Sequence, residues 1–219
     1  MESNDYQSEQ ASNSSQLKAW FDAQQNEIEV AYLSSKNSYQ QSGWGSTPER
    51  WQFARKLILK AVNKSGTFLD LGCANGLLLE CLMQWAGEQG FYLTPYGVDI
   101  SLQLVELARR RLPAFATNLV VANAFTLQTP MQYDFVHTLL EYVPENLHLE
   151  YLRRLLEQLV APAGRLIVSS YSSRSQGIIP LDIETYLQQL GFTTAWISSR
   201  RECYRSRSRW LDTNSCCLD

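Results

Sequence analysis

Thr67-Phe68-Leu69-Asp70-Leu71-Gly72-Cys73-Ala74-Asn75-Gly76 decides how the chain is read. Thr67 to Leu71 is a short apolar run between Gly66 and Gly72, the pattern of a parallel strand covered on both faces. Leu77 through Trp85 is apolar nearly all round, which predicts a well-buried helix starting at about Leu77. Gly72 and Gly76 bracket the turn between them. Glycine there permits left-handed backbone angles and lets a ligand approach without meeting a Cβ. Such a turn at the carboxyl end of a strand is a nucleotide-type site.

Two familiar glycine loops do not fit. The dinucleotide pattern G-x-G-x-x-G requires glycine where Ala74 stands, and the phosphate loop G-x-x-x-x-G-K-[ST] is absent. What stands is Asp-x-Gly-x-x-x-Gly, which resembles motif I of the class I S-adenosylmethionine-dependent methyltransferases, with Ala74 replacing the family's middle glycine.

Working outward, Gly97-Val98-Asp99-Ile100-Ser101 ends the next strand candidate, which begins near Phe91, and Ser101 caps a helix carrying Leu102, Val105 and Ala108. That helix finishes in Arg109-Arg110-Arg111 before Pro113, a cationic end that suits the macrodipole and reads as solvated. Leu119 to Ala122 is a short strand, and no full helix fits between Phe125 and the next strand, Tyr133 to Leu140. Residues 146–160 read as a helix, Arg165 to Ser170 as a fifth strand, and Pro180 to Leu190 as a helix stopped by Gly191. Phe192 to Ile197 and Cys203 to Leu211 make a last strand pair.

Upstream, residues 1 to about 15 are rich in Ser, Asn and Gln and read as disordered. Leu17 to Leu33 has helical apolar spacing, and Ser34 to Gly45 is a polar connector. Thr47-Pro48-Glu49 is a helix start, followed by Trp51, Ala54, Leu57, Ile58, Ala61 and Val62 at a helical period. Strands alternating with helices predict an α/β fold, a Rossmann-like doubly wound and mostly parallel sheet. The resemblance adds a final antiparallel strand. On that resemblance the chain is expected to divide into residues 1–45, an N-terminal extension partly disordered and then helical, and residues 46–219, a domain similar to those of the class I methyltransferases.

Composition bounds the rest. The 219 residues suffice for one large α/β domain. A net charge of −3 argues against a protein whose main work is gripping nucleic acid. No apolar run reaches the roughly 18 residues of a membrane span, and the polar N-terminus does not read as a signal peptide. Five cysteines without a Cys-x-x-Cys suggest neither a disulfide framework nor a zinc site, and point to a reducing, cytoplasmic compartment.

The resemblance implies S-adenosyl-L-methionine as cofactor and a small molecule as methyl acceptor. Cofactor contacts are expected from Asp70, Gly72, Cys73, Ala74 and Gly76 of the loop. Asp99, at the end of the second strand, is placed to accept from both ribose hydroxyls. Ile100 follows it, and Asn123, Ala124 and Phe125 after the third strand would face the adenine, with Phe125 reading almost as well as simple core. Thr138 to Tyr142 should lie beside the reactive methyl. Methyl transfer requires chiefly that donor and acceptor be held in line. If a base is used, Glu141 is the candidate. Tyr39, Trp44 and Tyr142 are candidate acceptor contacts, the first two from an extension that would cover the site. No metal is expected. His137 reads as a satisfied structural residue and His148 as solvated. Arg205, Arg207 and Arg209 share one face of a charged edge strand. The other readings of the same pattern are a nicotinamide-dependent oxidoreductase, which would lack a Tyr-x-x-x-Lys pair, and a non-catalytic adenosylmethionine-binding module.

Overall fold

A parallel sheet of five strands carries the molecule. They are β1 (Gly66–Leu71), β2 (Leu93–Asp99), β3 (Leu119–Val121), β4 (Tyr133–Leu139) and β5 (Val160–Ser170). The structure, a computed structural model, describes residues 2–43, 47–170, 181–194, 196–199 and 207–212. Beyond β5 the sheet continues through β7 (Arg207–Asp212), antiparallel to β5, and β6 (Trp196–Ser199), antiparallel to β7, giving the order β3-β2-β1-β4-β5-β7-β6. Strand order reverses between β1 and β4, and the crevice outside their carboxyl ends is where a doubly wound sheet takes its ligand.

Alternation along the strands builds two cores. Leu69, Leu71, Val136, Leu166 and Val168 face one layer with α5 (His148–Arg154) and α6 (Ile183–Gln189). Phe68, Phe135 and Ile167 face the other, with α3 (Leu77–Gly87) and α4 (Leu102–Arg111). The apolar helix predicted at Leu77 starts there, and Ser101 caps α4 by accepting from the Leu104 N–H. No helix occupies the β3–β4 connection.

Several elements differ from expectation. The helix begun at Pro48 ends at Arg55 (α2, Pro48–Arg55) and a 3-10 turn, Ile58–Ala61, carries the remaining apolar residues inward. The helix over 146–160 is divided into a 3-10 turn, α5 and a π-helical turn, Leu155–Leu159. The stretch read as disordered to about residue 15 lies within one long helix, α1 (Glu2–Leu33). Residues 2–33 contain no glycine or proline, so nothing in the backbone breaks it. The arginine run is only partly solvated. Arg110 is exposed, but Arg109 donates twice to the Leu119 carbonyl, and Arg111 pairs with Glu80 at 2.7 Å while donating to the Asn75 carbonyl and Ser38 Oγ. His148 is buried, not solvated, and its Nδ1 meets the Tyr186 hydroxyl at 2.8 Å. β7 is not the edge strand expected, because it pairs with β5 on one side and β6 on the other, and the side chains of Arg205, Arg207 and Arg209 lie outside the described residues.

Candidate active site

The turn after β1 is held open by three left-handed residues, Gly72 (φ 76), Ala74 (φ 46) and Gly76 (φ 75). Gly72 needs its missing side chain twice over. Its φ is one that L residues avoid, and a Cβ would fall 2.2 Å from the Tyr142 ring. Ala74 tolerates its conformation at a cost of about 1–2 kcal/mol. Its N–H is compensated by Asp99 Oδ2 at 2.8 Å. The N–H groups of Gly72 and Cys73 both donate to the Val98 carbonyl, which ties the loop to the end of β2.

A cleft with two connected halves opens above this loop. One half, about 470 Å³, is lined by Asp99, Ile100, Ala122, Asn123 and Ala124, and roofed by Trp20, Phe21 and Gln24 of α1. The other, about 550 Å³, is lined by Asp70, Cys73, Ala74, His137 and Leu139, and roofed by Ile28 and Tyr32 of α1 with Trp51 and Arg55 of α2. Gly72, Asp99, Ile28 and Tyr142 belong to both.

The electrostatics follow from burial. Asp99 is 6% exposed, and its carboxyl pKa is pushed up to about 6 by desolvation. The Ser101 and Ala74 amides pull it down, while Asp70 and Glu29 push it further up. Burial, reinforced by Asp99 and Asp70, carries the Cys73 thiol well above its usual range, so it is an inert wall. Arg55 is buried, with its guanidinium 5.8 Å from the Trp51 ring centroid. Desolvation raises both the Tyr32 hydroxyl and the Glu141 carboxyl, and the Arg55 charge opposes it at each.

Most of the expected cofactor residues meet here: Asp70, Gly72, Cys73, Ala74, Asp99, Ile100, Asn123 and Ala124 all line the cleft. Three do not. Thr138 is fully buried and bonds the Tyr151 hydroxyl at 2.7 Å, because strand alternation turns it away from His137 and toward α5. Phe125 packs between Phe21 and Tyr151 in the core, and its amide donates to Asn123 Oδ1. Gly76 faces α4, where a Cβ would come within 3.0 Å of the Ala108 Cβ, so it serves helix packing. Glu141 lines the half with Ile100 and Asn123. Of the acceptor candidates, Tyr142 lines both halves. Tyr39 instead packs edge-on against Trp51 at 5.4 Å, bracing α2. Trp44 lies outside the described residues.

Residues 44–212 match a family described as a methyltransferase domain. The chain belongs to that family, within the class I S-adenosylmethionine-dependent methyltransferases. A trans-aconitate 2-methyltransferase of Rhizobium leguminosarum bv. trifolii is 29% identical over 121 residues, covering 55% of this chain and 44% of that protein. The chain thus matches less than half the length of that relative. Among solved structures, the fold is similar to the N-methyltransferase NodS of Bradyrhizobium japonicum in complex with S-adenosyl-L-homocysteine. That match has a TM-score of 0.64 at 16% identity and covers 86% of this chain and 97% of that one. It is also similar to the 1,6-didemethyltoxoflavin-N1-methyltransferase of Burkholderia thailandensis, with a TM-score of 0.61 at 14% identity, covering 90% and 89%.

The roof adds Arg55, Trp20, Phe21 and Ile28 to the site, and Arg111 braces the glycine loop from the end of α4. Arg55 carried a signal, since a charged residue four after Trp51 falls on the apolar face of its helix. Trp20, Phe21 and Ile28 carried only a narrow stripe, which says that α1 packs but not on what. Arg111 carried none, because its partners Ser38, Asn75 and Glu80 are remote in sequence.

Proposed function

We propose that this chain transfers a methyl group from S-adenosylmethionine to a small-molecule acceptor by in-line displacement. The observation that carries the reading is the position of Asp99, whose carboxylate stands at the junction of the two cleft halves with one oxygen on the glycine-loop amide of Ala74 and the other on Ser101. Each oxygen retains a lone pair for a vicinal hydroxyl. On this reading the ribose meets Asp99, and the adenine lies among Ile100, Asn123 and Ala124. The amino-acid tail extends over Gly72 toward Asp70 and Arg55, whose opposite charges complement an ammonium and a carboxylate. The acceptor enters beside Leu139 and Tyr142, with Glu141 the base where a proton must leave. Helix α1 covers the bound cofactor, and the antiparallel β7 supports the class I assignment.

Among the described residues no helix is long and apolar enough to cross a membrane, and Cys73 and Cys81 are free thiols. The reading places the enzyme and its small-molecule acceptor in the cytoplasm, and the net charge of −3 favours a small molecule over nucleic acid. A thermal-shift panel tests the assignment. S-adenosylmethionine or S-adenosylhomocysteine at 100 times its Kd should add about 2.7 kcal/mol of stability. A shift with NAD or NADP in their place would overturn it.

A further inference from the structure

Three neighbouring strands end in polar residues on one face of the sheet. On that face Phe68, Phe135 and Ile167 form an apolar layer, with Phe68 and Phe135 stacked at 6.2 Å. Two residues further along each strand the layer is Asp70, His137 and Ser169, at 2%, 3% and 1% exposure. His137 bridges the three. Its Nδ1 is 2.7 Å from Asp70 Oδ1 and its Nε2 is 3.0 Å from Ser169 Oγ. A carboxylate only accepts, so Nδ1 carries the proton and the ring is locked by a partner at each nitrogen. Three buried polar groups in a sheet layer that could have been apolar are costly unless all are satisfied, and these satisfy one another.

Asp70 and His137 line the cleft half beside Gly72 and Ala74, whereas Ser169 lies behind them. The imidazole therefore holds Asp70 from the side, and the carboxylate borders the cleft. We propose that His137 is a positioning residue, anchored by Ser169, which fixes the Asp70 carboxylate for the ammonium group of the bound cofactor. It does not touch the acceptor and takes no proton from it. The proposal rests on the cofactor reading above and adds to it the residue that determines whether the amino-acid end is recognised.

Calorimetric titration of the full chain with two ligands tests it. S-adenosylhomocysteine has the ammonium group, whereas 5′-methylthioadenosine has the same adenosine and thioether without it. His137→Leu should weaken S-adenosylhomocysteine about tenfold or more and leave methylthioadenosine within about twofold. His137→Asn, which keeps a donor near the Nδ1 position, should restore most of the loss. In an Asp70→Asn background, His137→Leu should have no further effect on either ligand. Ser169→Ala, a gentler change, should give the same split at about threefold, and it decides the matter if His137→Leu does not fold. Parallel loss of both ligands in these variants, or no loss in either, would overturn the assignment of His137. A wild-type protein that binds neither ligand would instead overturn the cofactor reading itself.

Discussion

The backbone N–H of Ala74 donates to Asp99 Oδ2 at 2.8 Å, so the glycine loop and the end of the second strand are locked together before any ligand arrives. The departure from the family's middle glycine is thereby accommodated. Alanine holds the left-handed conformation, and the Asp99 carboxylate braces it through the Ala74 amide.

Asp99 should make both stability and binding depend on pH. Its folded pKa of about 6 lies above the ordinary 3.8, so its contribution is fully present below the unfolded pKa and is lost as pH rises through about 6. The difference amounts to about 3 kcal/mol. Urea unfolding at a series of pH values should show the wild type losing roughly that much relative to Asp99→Asn between about pH 4 and pH 7. Cofactor affinity should run the other way, falling as Asp99 is protonated below about pH 6. Flat profiles in both measurements would show that Asp99 ionises as an ordinary exposed acid.

Gly72→Ala should destroy cofactor binding and cost more than the roughly 1–3 kcal/mol of backbone strain alone, because the new Cβ also strikes the Tyr142 ring. Gly72→Ala combined with Tyr142→Ala should recover the steric part but not the strain. Thermal unfolding of the single and double variants separates the two. Equal stability would show that the ring simply swings aside.

Removal of residues 1–45 should leave the α/β signal in circular dichroism while abolishing turnover. The sheet and its helices are complete without α1, yet Trp20, Phe21, Ile28 and Tyr32 form the roof of both cleft halves. The shortened chain also loses Ser38, which accepts from Arg111 and Asn75, and the buried Phe21, so a lower melting temperature is expected. Loss of the folded signal altogether would show that α1 belongs to the core.

Arg111→Lys should not substitute for arginine. The guanidinium uses three nitrogens on three partners, Glu80, the Asn75 carbonyl and Ser38 Oγ, and an ammonium cannot span them. A loss of about 1–2 kcal/mol is expected, given a pair that is only partly buried. Adenosylmethionine affinity should weaken several fold because Asn75 lies in the loop. Unchanged denaturation midpoints would place Arg111 among surface charges of no consequence.

The chain from Thr67 to Ser101 determined by itself a strand, a left-handed turn, a buried helix and an acid at the next strand end. Those features are local. Glycine spacing, an apolar run and a serine cap act through the backbone of their own segment, and alternating strands and helices restrict the topology to a doubly wound sheet. Period-two alternation puts His137 and Thr138 on opposite faces of β4, but it leaves open which face borders the crevice. That choice belongs to α3 and α5, and it turned Thr138 onto Tyr151 and His137 toward Asp70. Likewise the stripe of α1 announced a packing face, while the rest of the fold decided that this face covers a cleft. The partners of Arg55, Arg111 and His137 are non-local, and only the closing of the sheet brings strand ends 67 and 32 residues apart into one buried hydrogen-bonded layer.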